Sequence, residues 1–170
     1  MSSGSIAQII LDAIWFVLPA YVANGGAMLT GGGPALDGGR FFLDGRRILG
    51  DGVTVRGTVG GIVAGAVTGG VQGLIGSDPE NGLVLGLLMG AGAMIGDSAG
   101  SFLKRRLGLA RGRPAPGLDQ LGFLIAAIAL ASLLVSVPTM WFIVLIVLTP
   151  TIHLFTNFLA YRIGIKEVWY

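Results

Sequence analysis

A group of charged and hydroxyl side chains lies in the stretch GDSAGSFLKRRLGLARGRPAPGLDQLGF, which begins at Gly96. If this stretch starts as a helix, spacings of three and four residues place several of these side chains on one face. They are Asp97, Ser101, Lys104 and Arg105. Asp119 lies near the end of the stretch. Because carboxylates hold Mg²⁺ and basic side chains neutralise phosphate oxygens, this combination favours phosphoryl-transfer chemistry.

Two less specific interpretations of these residues remain open. A carboxylate such as Asp97 inside an apolar segment is costly and indicates function, but pairing with Lys104 or Arg105 would make it structural. The basic residues that follow are also typical of a loop that sets membrane topology.

A second polar segment, NGGAMLTGGGPALDGGRFFLDGRRILGDGVTVRG, begins at Asn24 and is rich in glycine. Glycine lets the backbone approach a ligand closely and lets N–H groups converge on an anion. A flexible, solvated loop is the alternative. The segment mixes acidic with basic residues, however, and carries apolar residues such as Phe41 and Leu43 that suit a membrane interface. No Gly-Lys-Ser or Gly-Lys-Thr follows a glycine, which excludes a P-loop.

The elements that position these segments must lie in a membrane. The chain has a mean hydropathy of +0.80, 53% apolar residues and 12% charged residues, whereas soluble domains carry roughly a quarter charged residues. Cysteine is absent, which excludes disulfides, zinc–thiolate sites and a Cys nucleophile. The basic residues fall in loops between apolar segments, so the pI near 9.4 does not indicate nucleic-acid binding.

Five apolar segments approach the length of a spanning helix, which is about 20 residues. We therefore predict an all-α integral membrane protein with a single membrane domain over residues 1–170. The predicted spans are 6–23, 57–76, 82–102, 121–137 and 139–161. Glycine recurs every fourth residue from Gly57 to Gly73 and from Gly82 to Gly90, which is typical of closely packed membrane helices.

The basic residues predict the orientation of these spans. Loops 24–56 and 104–120 and the C-terminal segment hold all 11 Lys and Arg residues. The positive-inside rule makes both loops cytoplasmic, with the N-terminus outside and the C-terminus inside. We therefore expect a multi-pass protein of the cell membrane whose active site faces the cytoplasm.

The long polar motifs resemble those of CDP-diacylglycerol synthases, and more closely those of the archaeal branch, CDP-archaeol synthase. The matching strings are NGG from Asn24, GGGPALDGG from Gly31, DGRRILGDGVTVRG from Asp44 and LDQLGF from Leu118. Two positions depart from the family pattern. Val53 replaces a usual lysine, and Gly122 replaces a second aspartate.

This resemblance implies CTP-dependent cytidylyl transfer. An unsaturated archaetidic-acid-type lipid phosphate, 2,3-bis-O-geranylgeranyl-sn-glycerol 1-phosphate, attacks the α-phosphorus of CTP, giving CDP-archaeol and pyrophosphate. The resemblance implies Mg²⁺ as cofactor, with Asp97 and Asp119 as its ligands and Lys104 as the third catalytic residue. The residues expected to bind CTP and the lipid phosphate are Asn24, Arg46, Asp51, Gly52, Thr54, Arg56, Ser101 and Arg105.

A small transporter or channel with a cation site at Asp97 is the alternative function. It explains an acid inside a span but not two long polar loops on one side, and the chain shows no internal repeat of the kind common in transporters. The run Asp44-Gly45-Arg46-Arg47 does not continue as a CDP-alcohol phosphotransferase motif. The single histidine, His153, is interpreted as a packed residue near Pro150. The oligomeric state stays open.

Overall fold

The computed structural model describes residues 5–110, 113–115 and 117–165. They form five helices and no β-sheet, which confirms the predicted fold class. The helices are α1 (Ile6–Thr30), α2 (Val55–Ile75), α3 (Pro79–Arg106), α4 (Leu118–Ala131) and α5 (Thr139–Arg162). Four of them are long and apolar enough to cross a membrane, and α4, with 14 residues, is a shorter apolar helix.

Several predicted boundaries were wrong. The first span was set to end at residue 23, but α1 continues to Thr30, so Asn24 belongs to a helix and not to a loop. Glycine weakens a helix in isolation, yet Gly26 is needed here because a Cβ on it would lie 2.8 Å from the Ala64 Cβ. The fourth span was set to end at residue 137, but α4 ends at Ala131.

The loops are correspondingly shorter than predicted. The first comprises residues 31–54, not 24–56, and the second comprises residues 107–117, not 104–120. Within the second loop, residues 111, 112 and 116 lie outside the described residues. Lys104 and Arg105 therefore lie in the last turn of α3, where cationic side chains favour the negative end of the helix dipole.

Glycine brings α2 and α3 together in an antiparallel pair. Gly57, Gly61, Gly65, Gly69 and Gly73 of α2 are all buried. A Cβ on Gly65 would lie 2.8 Å from the Gly90 Cα, and one on Gly73 would lie 2.8 Å from the Pro79 Cα. Backbone contact of this kind provides dispersion energy in lipid, where the hydrophobic effect does not drive helices together.

Helix α4 packs along α3 in the same manner. A Cβ on Gly92 would lie 2.6 Å from the Ala127 Cα, and one on Gly96 would lie 2.6 Å from the Phe123 Cα. Phe123 and Leu124 belong to the buried core, together with residues of α1, α3 and α5. The antiparallel order of α1 to α4 places both loops, 31–54 and 107–117, at the same end of the bundle.

Candidate active site

A cavity of about 250 Å³ lies at the loop end of the bundle, between α1, α3 and the start of α2. Its lining consists of Asn24, Ala27, Met28, Gly52, Val53, Thr54, Gly57, Thr58, Met94 and Asp97. Four residues predicted for the site therefore meet here although they are far apart in sequence: Asn24, Gly52, Thr54 and Asp97.

Asp97 is the acidic residue of this cavity. It is partly buried in α3, three residues after Met94, which shares the cavity wall. Among the described residues, its carboxylate makes no hydrogen bond or ion pair, and the charged side chains that act on it are Lys104 and Asp119. An acid in this position costs free energy in a membrane protein unless it binds something.

Asp119 lies in the first turn of α4 and forms an ion pair with Lys104. The Lys104 Nζ donates to one carboxylate oxygen at 2.7 Å, and the Ala115 N–H donates to the other at 2.8 Å. Two of the three predicted catalytic residues, Lys104 and Asp119, are thus in contact, but they lie outside the cavity lining. A carboxylate has about four acceptor positions, so these contacts leave room for a metal ligand bond.

The described residues contain no group of three or more His, Cys, Asp or Glu side chains arranged to hold a metal. A site with fewer protein ligands still fits Mg²⁺, because this ion is commonly bound by one or two carboxylates together with substrate phosphates and water. The Asp97 carboxylate, which has no hydrogen-bond or ion-pair partner among the described residues, is the group best placed to supply such a ligand.

Asp37 organises the first loop, a role that we did not predict. Its carboxylate is almost fully buried and accepts hydrogen bonds from the Arg47 guanidinium and from the N–H groups of Gly39, Leu49 and Gly50. The contact with Arg47, reinforced by these N–H groups, holds the pKa of Asp37 well below its usual range. The loop turns around this carboxylate and returns to Thr54. The motif GGGPALDGG contained the signal, since a lone acid among glycines can collect several N–H groups.

Thr54 then begins α2. Its Oγ1 accepts a hydrogen bond from the Gly57 N–H at 3.1 Å, so it is the N-cap of the helix. A threonine at this position satisfies a helix N–H that has no carbonyl partner. The cavity-lining residues 52–54 are thus held at both ends: the Gly50 N–H before them is bound to Asp37, and Thr54 caps α2.

Arg46 and Arg106 connect the first loop to the end of α3. The Arg46 Nη1 donates to the carbonyl oxygens of Arg105 and Arg106, at 3.2 and 2.6 Å. In return, Arg106 forms an ion pair with Asp44 at 2.5 Å and donates to the carbonyl oxygens of Arg46 and Arg47. Arg46 was predicted to bind phosphate, but at least one of its guanidinium nitrogens donates to main-chain carbonyls instead. Arg106 is a positioning residue that the sequence did not single out.

The other predicted binding residues lie around the cavity but not in its lining. Asp51 pairs with Arg47 at 2.8 Å, and its side chain is 65% exposed. Arg56 is exposed, beside Gly33. Ser101 is partly buried in α3, and Arg105 lies against Gly50 with its Nε buried and without a hydrogen-bond partner.

Both departures from the family pattern lie close to Asp97. Val53 lines the cavity, so a lysine there would place an ammonium group beside the carboxylate. Gly122 faces Gly96, the residue before Asp97, and a Cβ on it would lie 3.4 Å from the Gly96 carbonyl oxygen.

A second cavity, of about 230 Å³, lies between α1, α4 and α5. It contains polar side chains at membrane depth, among them Tyr21, Thr149, His153 and Asn157. The Tyr21 and Thr149 hydroxyls are hydrogen-bonded at 2.7 Å, and the His153 ring lies 6.4 Å from the Phe123 ring. Asn24 and Met28 line both cavities, so the two are neighbours.

Known proteins are similar in sequence to this chain over most of its length. The family model CarS-like: CDP-archaeol synthase matches residues 6–170. The CDP-archaeol synthase of Methanopyrus kandleri is 51% identical over 91% of this chain and 90% of its own length. That of Methanococcus aeolicus is 46% identical over 98% of this chain and 99% of its own length.

A solved structure is also similar. It is the structure of an intramembrane enzyme for archaeal membrane lipids biosynthesis. The TM-score is 0.78 at 41% identity, and the match covers 87% of this chain and 94% of that one. Sequence and fold agree: this chain belongs to the CarS-like family of CDP-archaeol synthases.

Proposed function

We propose that this protein transfers the cytidylyl group of CTP to an unsaturated archaeal ether-lipid phosphate, 2,3-bis-O-geranylgeranyl-sn-glycerol 1-phosphate, to form CDP-archaeol. The observation that carries this proposal is the cavity at the loop end, where the Asp97 carboxylate meets Asn24 and residues 52–54. Family membership supports the reaction class. The same cavity would suit a cation channel poorly, because it is bounded by a structured loop on the polar side.

The nucleotide is proposed to bind in the Asp97 cavity with Mg²⁺. Asp97 provides a carboxylate ligand, and the phosphates provide the remaining anionic oxygens. When bound, Mg²⁺ neutralises charge on the phosphates and lowers the barrier to displacement. Metal ligation by Asp119 stays a prediction, and its contact with Lys104 gives it a second function, that of holding the ammonium group.

The lipid phosphate is proposed to approach from the second cavity, which adjoins the first through Asn24 and Met28. Its phosphate oxygen forms a bond to the α-phosphorus of CTP, the bond from that phosphorus to the bridging oxygen breaks, and pyrophosphate leaves. A fully ionised lipid phosphate is itself the nucleophile, so no general base is needed. Lys104 and Arg105 neutralise the leaving group, while the protein's main contribution is orientation.

The loop end of the bundle is proposed to face the cytoplasm, where CTP is present. The support is the collection of basic residues at this end. In a chain without cysteine, a cysteine introduced at Ser77 should react with an impermeant maleimide in intact cells, and one introduced at Arg113 should not. The reverse pattern would contradict the orientation.

The proposed reaction is tested with purified protein, radiolabelled CTP, Mg²⁺ and either an ether-linked or an ester-linked lipid phosphate. We expect labelled CDP-lipid and an equal amount of pyrophosphate. Asp97→Asn should lose this activity, whereas Asp12→Asn, at an acid hydrogen-bonded to Gln8 on α1, is the matched control and should keep it. Cation flux through liposomes without CTP, together with no CDP-lipid, would favour the channel instead.

A further inference from the structure

The first loop contains a tight hairpin at residues 40–47. Phe41 and Arg47 form an antiparallel bridge, and the Phe42 N–H donates to the Arg46 carbonyl at 2.8 Å. The turn closes with the Gly45 N–H donating to the Phe42 carbonyl at 3.0 Å and the Arg46 N–H donating to the Asp44 carboxylate at 3.1 Å. This geometry presents two large apolar side chains outwards: Leu43 is 97% exposed and Phe41 is 67% exposed.

The hairpin is fixed beside the end of a membrane helix. The third apolar side chain, Phe42, packs edge-on against Phe102 of α3, with ring centroids 5.2 Å apart. The Arg106 guanidinium lies 4.8 Å from the Phe42 ring and 4.9 Å from the Phe102 ring. Phe102 is one turn before the last residue of α3, about 6 Å along the axis at about 1.5 Å per residue.

The end of a spanning helix is expected near the boundary between headgroups and acyl chains. The last turn of α3 carries Lys104, Arg105 and Arg106, and long cationic side chains commonly lie at this depth. Leu103 and Leu107, at the same helix end, are 47% and 71% exposed. The end of α3 to which the hairpin is attached therefore exposes apolar side chains of its own.

We propose that the hairpin tip, Phe41 and Leu43, is an interfacial anchor that inserts into the headgroup–acyl boundary of the bilayer. The bilayer is the occupant because the loop is continuous with membrane helices at both ends, α1 and α2, and is attached to a third, α3. The exposed Arg40 beside Phe41 suits lipid phosphates. No substrate takes part in this contact, so it goes beyond the proposed reaction.

The anchor also stabilises one wall of the Asp97 cavity. The hairpin ends at Arg47, whose guanidinium donates to Asp37, and Asp37 in turn accepts the N–H groups of Leu49 and Gly50 just before the cavity-lining residues 52–54. The bilayer thus restrains the loop at its far end, and Asp37 restrains it near the cavity.

Absence of native cysteine allows a direct test. Leu43→Cys is labelled with an environment-sensitive fluorophore, and the protein is reconstituted into liposomes whose lipids carry bromine either near the headgroup or near the chain ends. We expect strong quenching by the shallow bromines and weak quenching by the deep ones. Val147→Cys is the reference for a lipid-facing side chain, because Val147 lies in α5 and is 68% exposed. Asp51→Cys is the reference for the polar part of the first loop.

Two results would overturn the proposal. Leu43→Cys could be quenched no more than Asp51→Cys, which would place the tip in water. Alternatively, the unlabelled Leu43→Cys protein could form disulfides between copies of the chain in liposomes while the labelled protein resists bromine quenching, which would identify a second copy as the occupant. Because the readout needs no CTP, either result leaves the proposed reaction to be judged by its own assay.

Discussion

The Gln72 side chain of α2 donates a hydrogen bond to the main-chain carbonyl of Trp15 in α1 at 2.6 Å. This carbonyl is available because the residue four positions later is Pro19, which has no N–H. A proline inside a membrane helix leaves one carbonyl without its helical partner, and a neighbouring helix can supply the missing donor. Gln72 thus joins α1 to α2 at the end of the bundle opposite the candidate site.

We predict that Gln72→Leu lowers the free energy of unfolding by about 1 kcal/mol, the usual scale for a hydrogen bond whose loss leaves a carbonyl unsatisfied. Thermal unfolding in detergent measures it. In a Pro19→Ala background, the helix supplies its own N–H to the Trp15 carbonyl, so the same substitution should cost clearly less. An equal cost in both backgrounds would show that Gln72 stabilises the protein by another contact.

Asp97 and Asp119 should differ in how their loss affects Mg²⁺. Asp97→Asn removes the cavity carboxylate. We predict that it lowers kcat at least roughly a hundredfold, which is the usual scale when electrostatic stabilisation of a transition state is lost. It should also require more Mg²⁺ for half-maximal rate. Asp119→Asn should lower the rate as well, because it releases Lys104.

A Mg²⁺ titration of each variant separates these roles. An unchanged Mg²⁺ requirement in a folded Asp97→Asn protein would contradict metal binding at that residue. A raised requirement in Asp119→Asn would assign that carboxylate to the metal too. Lys104→Gln serves as the control for the ammonium group, since it removes the partner without removing a carboxylate.

Val53→Lys should strengthen CTP binding. Val53 lines the cavity with Asp97, so a lysine there places an ammonium group within reach of the bound phosphates. Hydrogen bonds to charged groups contribute about 1.5–3 kcal/mol, so the apparent CTP dissociation constant should fall by about a factor of ten or more. Val55→Lys, two residues on and 41% exposed, adds the same charge outside the cavity lining and should change little. Equal CTP constants for both variants would remove position 53 from the phosphate site.

Asp37→Asn should destabilise the first loop in a pH-dependent way. The pKa of Asp37 is lowered in the folded protein, chiefly by Arg47, so its carboxylate contributes stability above its unfolded pKa of roughly 4. That contribution is lost as pH falls from there through the lowered folded pKa. Melting temperatures of wild type and variant should therefore differ most at neutral pH and converge in strong acid. A difference that does not depend on pH would contradict this account.

The sequence alone was sufficient for the class of fold, the family and part of the site. Apolar segments of spanning length, a four-residue glycine repeat and basic residues confined to certain loops are local signals, because each follows from the solvent preference or size of side chains in one segment. The polar motifs likewise identified Asp97 and the stretch from Gly52 to Thr54, which do meet in one cavity.

Only the tertiary structure decided which charged side chains are available to bind substrate and which form contacts that stabilise the protein. Lys104 pairs with Asp119, and Arg46 is bound to carbonyls at the end of α3. The buried Asp37 organises the loop. The sequence could not show these contacts, because the residue type is the same for an arginine that binds phosphate and for one that binds a main-chain carbonyl. Their difference depends on distances between segments that are brought together only when the helices pack.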